Sequence, residues 1–235
     1  MGFEDKNKIT EASVSYIGWG LASGGPTLKN LMEKRFHITL GFQEHGSWEK
    51  VFDEEKEMTG HQKKYSHILD RTFLRPRDII KFTNEILNAY KNSPEQNGKF
   101  SNANVIEART NYSEYLLSEL DDEIRKHYPD YEKYLEILKS LGSLQFTSKD
   151  FENAASQRKY IFNEMVPHIE IMSRLFHFSV IGYSSPGGIT GGAGYVWKHK
   201  DRRAKFNENA TNYRIHSGFM EVLGLKKFTK SRGGR

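Results

Sequence analysis

The sequence predicts a mainly α fold, a helical bundle followed by a small winged-helix-like α+β module with one β-hairpin. Three observations carry this. Between Thr27 and Phe176 apolar residues return at three- and four-residue intervals, the period of amphipathic helices, in stretches separated by Gly, Pro and small polar residues. After His177 the period becomes extended in Phe178–Tyr183 and again in Tyr195–Lys198, with turn chemistry between. With 235 residues, 37% hydrophobic and 13% aromatic, the chain can also bury a sizeable core.

In order, the first helix opens at Thr27 and carries Leu28, Leu31, Met32, Arg35 and Phe36 until Gly41. Ser47 is the expected N-cap of a short helix through Phe52, with Glu49, Asp53 and Glu54 near its beginning. A third helix starts at Arg75-Pro76-Arg77-Asp78, because proline loses nothing in a first turn. Its apolar face holds Ile79, Phe82, Thr83, Ile86 and Tyr90, and it stops at Lys91-Asn92-Ser93-Pro94. The longest helical pattern runs from Asn102 to His127 on Val105, Ala108, Tyr112, Leu116, Leu120 and Ile124, with Glu119 and Glu123 facing water. Tyr131–Leu141 follows and Gly142 caps it. Thr147 and Asp150 form a relative of the capping box that opens the next helix toward Phe162, and a short apolar helix spans Ile169–Phe176. The hairpin, a short strand at Tyr213-Arg214-Ile215 and a helix from Ser217 to Gly224 complete the winged-helix-like end. The expected organisation is therefore an N-terminal segment 1–26, a helical domain 27–166, the winged-helix-like module 167–228 and a basic tail 229–235.

Composition excludes several functions. Without cysteine there is no disulfide scaffold, zinc ribbon or thiol nucleophile. No apolar run approaches the roughly 18 residues of a membrane span. The polar start from Met1 to Glu11 lacks the apolar core of a secretory signal, so a cytoplasmic location is expected and the sequons at Asn111 and Asn209 are chance matches. Charge is uneven. Of the net +5, residues 195–235 carry +8, from eleven Lys and Arg against Asp201, Glu208 and Glu221, which leaves −3 for residues 1–194. A clustered positive field suits DNA or another polyanion, and a solubilising tail is the plainer alternative.

Catalytic patterns are weak. Gly20–Thr27 has the spacing of a phosphate loop, but Pro26 stands where that loop needs its lysine and supplies neither charge nor donor. Gly187–Gly194 lies inside the hairpin and reads as a wing tip. The nine histidines are scattered, no His-Glu-x-x-His occurs, and the acidic runs Asp53-Glu54-Glu55 and Asp121-Asp122-Glu123 read as solvated helix faces. No metal and no cofactor is expected. Arg75 and Arg77 oppose the positive end of a helix dipole, so either Asp70 and Asp78 neutralise them or they present a fork to a phosphate.

Leu69–Phe82, with Arg75-Pro76-Arg77-Asp78-Ile79-Ile80-Lys81-Phe82 at its heart, resembles a segment in the C-terminal helical lid of certain bacterial P-loop ATPases, relatives of the AAA and STAND groups often met in defence or mobile-element loci. Leu28, Leu31, Lys34-Arg35 and the Trp48…Phe52 pair are similar to its lead-in. Ile106, Ala108, Tyr112-Ser113, Leu116, Glu119 and Tyr128-Pro129 are similar to its long following helix. Phe178–Gly182 and Ile215–Leu225 resemble its winged-helix-like end. The resemblance implies a lid-like character for the helical domain and a nucleotide-sensing role for Arg75 or Arg77 at a site shared with another chain. It departs from the family in having no Walker A or Walker B core, so ATP is expected only with a partner.

The function expected is therefore noncatalytic binding or regulation. Its expected nucleic-acid contacts are Tyr195, Trp197, Lys198, Lys200, Arg202, Arg203, Lys205, Arg214, Lys226 and Lys227, with phosphates supplying affinity and little sequence readout. The rivals are a protein–protein module, pairing with an ATPase or a second copy, and an ATPase subunit that lends Arg75 or Arg77.

Overall fold

The computed structural model describes residues 27–162, 166–185 and 194–226. The glycine-rich stretch before Thr27, the hairpin tip and the tail from Lys227 lie outside the described residues. Helix α1 (Leu28–Leu40) begins with a full capping box between Thr27 and Asn30 and ends on Gly41, whose φ of 70° supplies the left-handed cap. Helix α2 (Ser47–Val51) is capped by Gly46 and not, as its sequence suggests, by Ser47. The Ser47 hydroxyl donates instead to the carbonyls of Glu33 and Glu44, 3.2 and 3.0 Å away, tying α2 to α1.

Helix α3 (Lys64–Leu69) has no counterpart in the sequence reading, because six residues are too few to establish a period. Helix α4 (Pro76–Asn92) and helix α5 (Asn102–Ile124) are the central pair. Their apolar faces meet with Phe82 stacked on Tyr112 at 4.3 Å between ring centroids. Ser101 and Asn104 close a second capping box at the start of α5. Helix α6 (Tyr131–Leu141) ends on Gly142 as expected, and helix α7 (Ser148–Gln157) opens with the Thr147–Asp150 box. A 3₁₀ turn follows at Lys159–Ile161, and helix α8 spans His168–His177.

Extended structure begins later than its apolar run suggests. Ser179 adopts φ 61° and its N–H bonds to the Phe176 carbonyl while that of Val180 bonds to Leu175, so Phe178 and Ser179 form a Schellman cap on α8. The sheet then comprises β1 (Gln145–Phe146), β2 (Ile181–Ser185), β3 (Gly194–Val196) and β4 (Tyr213–Ile215), followed by a 3₁₀ turn at Ser217–Phe219 in place of the expected helix. All pairings are antiparallel, in the order β1-β4-β2-β3, with Phe146 opposite Tyr213, Ile181 opposite Ile215, and Tyr183 opposite Val196. The first strand precedes α7, so the sheet draws on sequence from both sides of residue 167. Along that edge the Leu144 N–H donates to the Lys226 carbonyl at 3.1 Å, and the Lys226 N–H donates to the Gly142 carbonyl at 3.0 Å. One continuous apolar core runs from Leu28 through Val105 and Leu138 to Leu225. The mainly helical fold with a small β module thus holds. Among the described residues, no helix is long and apolar enough to cross a membrane.

Candidate functional site

The Arg-Pro-Arg-Asp segment resolves first. Pro76 opens α4, and Asp78, buried in the first turn, accepts the Phe73 N–H at 3.0 Å. Burial pushes the Asp78 carboxyl up, against that hydrogen bond and the nearby Arg75 and Arg77. The arginines take their acids from α5. Arg75 forms a fork with Glu123, at 2.6 and 3.3 Å, while Arg77 pairs with Glu119 and reaches Glu123 at 3.5 Å. Glu119 and Glu123, read from the sequence as water-facing, are therefore the partners in place of Asp70, which accepts from Gln62. Both guanidiniums serve to join α4 to α5.

The basic residues of the C-terminal module divide into two sets. Lys200, Arg202, Arg203 and Lys205 are exposed on the loop after β3, and Lys226 is exposed at the other edge. Among the described residues, Lys200, Arg203 and Lys205 have no carboxylate within ion-pair distance. Lys198, by contrast, donates its ammonium to the carbonyls of Arg202 and Ala204 at 2.7 and 2.9 Å and so shapes that loop. Trp197, expected to face a ligand, is only 8% exposed. It packs against Gly182 of β2, where an added Cβ would lie 2.7 Å from the indole, and edge-on to His216 at 5.3 Å. The indole is thus mostly buried, and it forms a wall of the pocket described next and not an open stacking surface. Lys227 lies outside the described residues.

Between this loop, β4 and the end of α3 lies a pocket of about 190 Å³, lined among others by Asp70, Tyr195, His199, Lys200, Arg214 and His216. Arg214 projects from β4, stacks over Tyr195 at 5.7 Å and donates to Ser217 Oγ at 3.3 Å. His216 is 3% exposed, and its Nδ1 accepts the Gly218 N–H at 3.2 Å, so in the neutral ring the proton is on Nε2. His199 crosses it edge to face, 5.1 Å away, and both rings rest on Phe73. Behind them Arg71, 3% exposed, shares the single carboxylate of Glu221 with Arg109, at 3.5 and 4.0 Å. Two guanidiniums against one acid leave an excess of positive charge. Arg109, which also bonds His67 Nε2 at 2.9 Å, is pushed down to about 10 by burial and by Arg71.

Several buried polar atoms here have no partner among the described residues: both ring nitrogens of His199, Nε of Arg214 and of Arg71, and Oε2 of Glu221. Each such atom costs about 1–3 kcal/mol when no hydrogen bond compensates it. Burial also holds both imidazoles neutral. The His199 ring is pushed down to about 3 by desolvation and then by Lys200 and Arg75. His216 lies well below the ordinary range through desolvation, then His199, Lys200, Arg71 and Arg214. Among the described residues no group of three or more His, Asp or Glu is placed to hold a metal.

A pH dependence follows. Unfolded imidazoles take up protons below about 6.5 while the folded ones stay neutral, so the unfolded state binds more protons and stability falls as pH drops from there. For each ring the slope reaches at most about 1.4 kcal/mol per pH unit. Melting temperatures measured from pH 7 to 5 should therefore decline, and His199→Gln should remove part of the decline. An unchanged pH profile in that variant would contradict neutral burial of His199.

The site was half legible beforehand. Tyr195, Trp197, Lys200 and Arg214, all expected from the sequence, line the pocket, whereas His199 and His216 carried no local signal. They are seventeen positions apart, and only the β2–β4 pairing and the loop after β3 bring them together. No curated protein and no solved structure matches the chain. Residues 26–121, from the cap of α1 to the last turn of α5, match the family model of the FunZ-associated C-terminal helical domain, so this part of the chain is similar to a helical region found at the C-terminus of a larger protein.

Proposed function

We propose that the chain is a noncatalytic nucleic-acid-binding protein whose basic C-terminal module grips DNA through its phosphates. The observation that carries this reading is the contrast between two sets of cations. Arg75 and Arg77 are matched by Glu119 and Glu123, whereas Lys200, Arg203 and Lys205 stand exposed without an acid among the described residues, beside a pocket with surplus positive charge. Exposed cations without an ion pair gain most from a polyanion, since each phosphate contact releases a condensed counterion. The same pairing favours this reading over the alternative that Arg75 or Arg77 reaches a nucleotide on another chain. The similarity of 26–121 to a C-terminal helical domain fits a helical part that is distinct from the basic end in this reading, and the P-loop ATPase resemblance around Arg75-Pro76-Arg77-Asp78 suggests a protein partner for it.

Fluorescence anisotropy with duplex DNA over a salt series tests this. Affinity should fall steeply with salt, and Lys200→Ala/Arg203→Ala/Lys205→Ala should reduce the log–log slope by about 2 to 3, at roughly 0.9 per phosphate contact. Binding that ignores salt, or a slope that survives the triple substitution, would refute the proposal.

A further inference from the structure

We infer that the pocket lined by His199, Lys200, Arg214 and His216 receives the terminal phosphate of a DNA strand, an assignment that rests on the nucleic-acid reading above. The first support is unspent hydrogen-bonding capacity. Both nitrogens of His199 and Nε of Arg214 are buried without a partner among the described residues, and both side chains line the same space. A neutral imidazole has one N–H to give and Arg214 has its guanidinium N–H groups, so an acceptor-rich group satisfies them, whereas an apolar ligand would leave them unpaired.

The second support is charge. Lys200 and Arg214 line the pocket and Arg71 is buried behind it, against one acid in the lining, Asp70, so the cations outnumber it. Glu221 is divided between Arg71 and Arg109. A terminal phosphate monoester carries a charge of about −1.5 to −2 near neutral pH, more than an internal diester, and it gains correspondingly more from such surroundings.

The third support is size and position. At about 190 Å³ the pocket admits a tetrahedral oxyanion and the atoms next to it but not a duplex. An internal phosphodiester needs room for chain on both sides, whereas a strand end needs it on one. The exposed loop bearing Arg202, Arg203 and Lys205 continues directly from Lys200 at the pocket, where the next phosphates of that strand would run. Tyr195, half-buried under Arg214, lines the same pocket.

Anisotropy on the full chain tests the assignment, using short duplexes whose single-stranded overhangs end either in phosphate or in hydroxyl. Phosphate ends should bind about ten-fold tighter or more, as expected of charge-assisted hydrogen bonds. Arg214→Gln should abolish that preference, read as the ratio of the affinities of the same variant for phosphate-ended and hydroxyl-ended DNA. Because Arg214 sits in a central strand, His199→Asn provides a second reading, and thermal melts establish that each variant is folded. Added inorganic phosphate should erase the preference selectively. Salt-dependent binding with no preference between the two ends overturns the pocket assignment and leaves the nucleic-acid reading standing. Absence of DNA binding overturns both, and inorganic phosphate bound without any DNA binding assigns the pocket to a free small phosphate instead.

Discussion

Gly218→Ala should destabilise the protein by about 3 kcal/mol or more, lowering the melting temperature by roughly 6–12 °C for a chain of this size. Gly218 sits in the 3₁₀ turn after β4, pressed against α5 and the end of α3. A Cβ there would lie 2.5 Å from the Arg71 carbonyl oxygen, closer still to Leu116 Cδ2, and 3.1 Å from His216 Nδ1. Leu116 can rotate, but the Arg71 carbonyl is backbone and cannot yield without moving α3. The glycine's own groups are also committed. Its N–H donates to His216, and its carbonyl accepts from the buried hydroxyl of Ser113 at 2.7 Å, the same hydroxyl that receives the Val222 N–H at 3.1 Å. Any shift that relieves the clash therefore loosens two or three buried hydrogen bonds and displaces His216 from the pocket. A calorimetric scan decides the matter, since a variant melting within about 1 °C of the parent would mean that this seam can open without cost.

Trp48→Ala should cost about 3–5 kcal/mol, read as a lower urea midpoint with an unchanged slope. The indole is completely buried, stacked on Phe52 at 4.0 Å and 9° and met edge-on by Tyr65 at 5.1 Å. Its Nε1–H donates to Glu54 at 2.7 Å. That carboxylate also receives the N–H groups of Lys64 and Tyr65, at 2.6 and 2.8 Å, and so anchors the start of α3. Trp48→Phe separates the two contributions, because it keeps most of the apolar area and loses the donor, for an expected cost nearer 1–2 kcal/mol. The two glycine and tryptophan substitutions also differ in reach. Trp48 lies among α1, α2 and α3, remote from Arg214, so the folded fraction of its variant should keep its DNA affinity. Equal losses on truncation to Ala and to Phe would show that the hydrogen bond, and not the stack, holds this corner.

The helices whose boundaries were legible are those whose ends announce themselves in local chemistry. Thr27, Pro76, Gly142 and the Thr147–Asp150 pair each act within one turn of chain, so their effect needs no knowledge of the fold. Helix α3 and strand β1 escaped because six and two residues cannot display a period, and they exist through contacts with distant chain. Lys64, buried with its ammonium on the carbonyls of Asp53 and Lys56, could only read as a surface residue. Ser179 illustrates the reverse error, since an apolar run with good strand propensity is overridden when the preceding helix claims its first residues for a cap.

Charge followed the same division. The excess of Lys and Arg after Tyr195 is a property of composition, visible without coordinates, as is the opening of α4 at Arg75-Pro76-Arg77-Asp78. Which cations are satisfied is not, because an ion pair depends on what lies across a helix interface. Packing α4 on α5 brings Glu119 and Glu123 to Arg75 and Arg77, and the loop after β3 turns Lys198 inward while leaving Lys200 outside. Local caps, amphipathic periods and net charge act over a few residues and so are written in the order of the chain. The pairing of His199 with His216, the burial of Trp197 and the pocket they border are long-range contacts, and they come into being only when the sheet closes against α3 and α5.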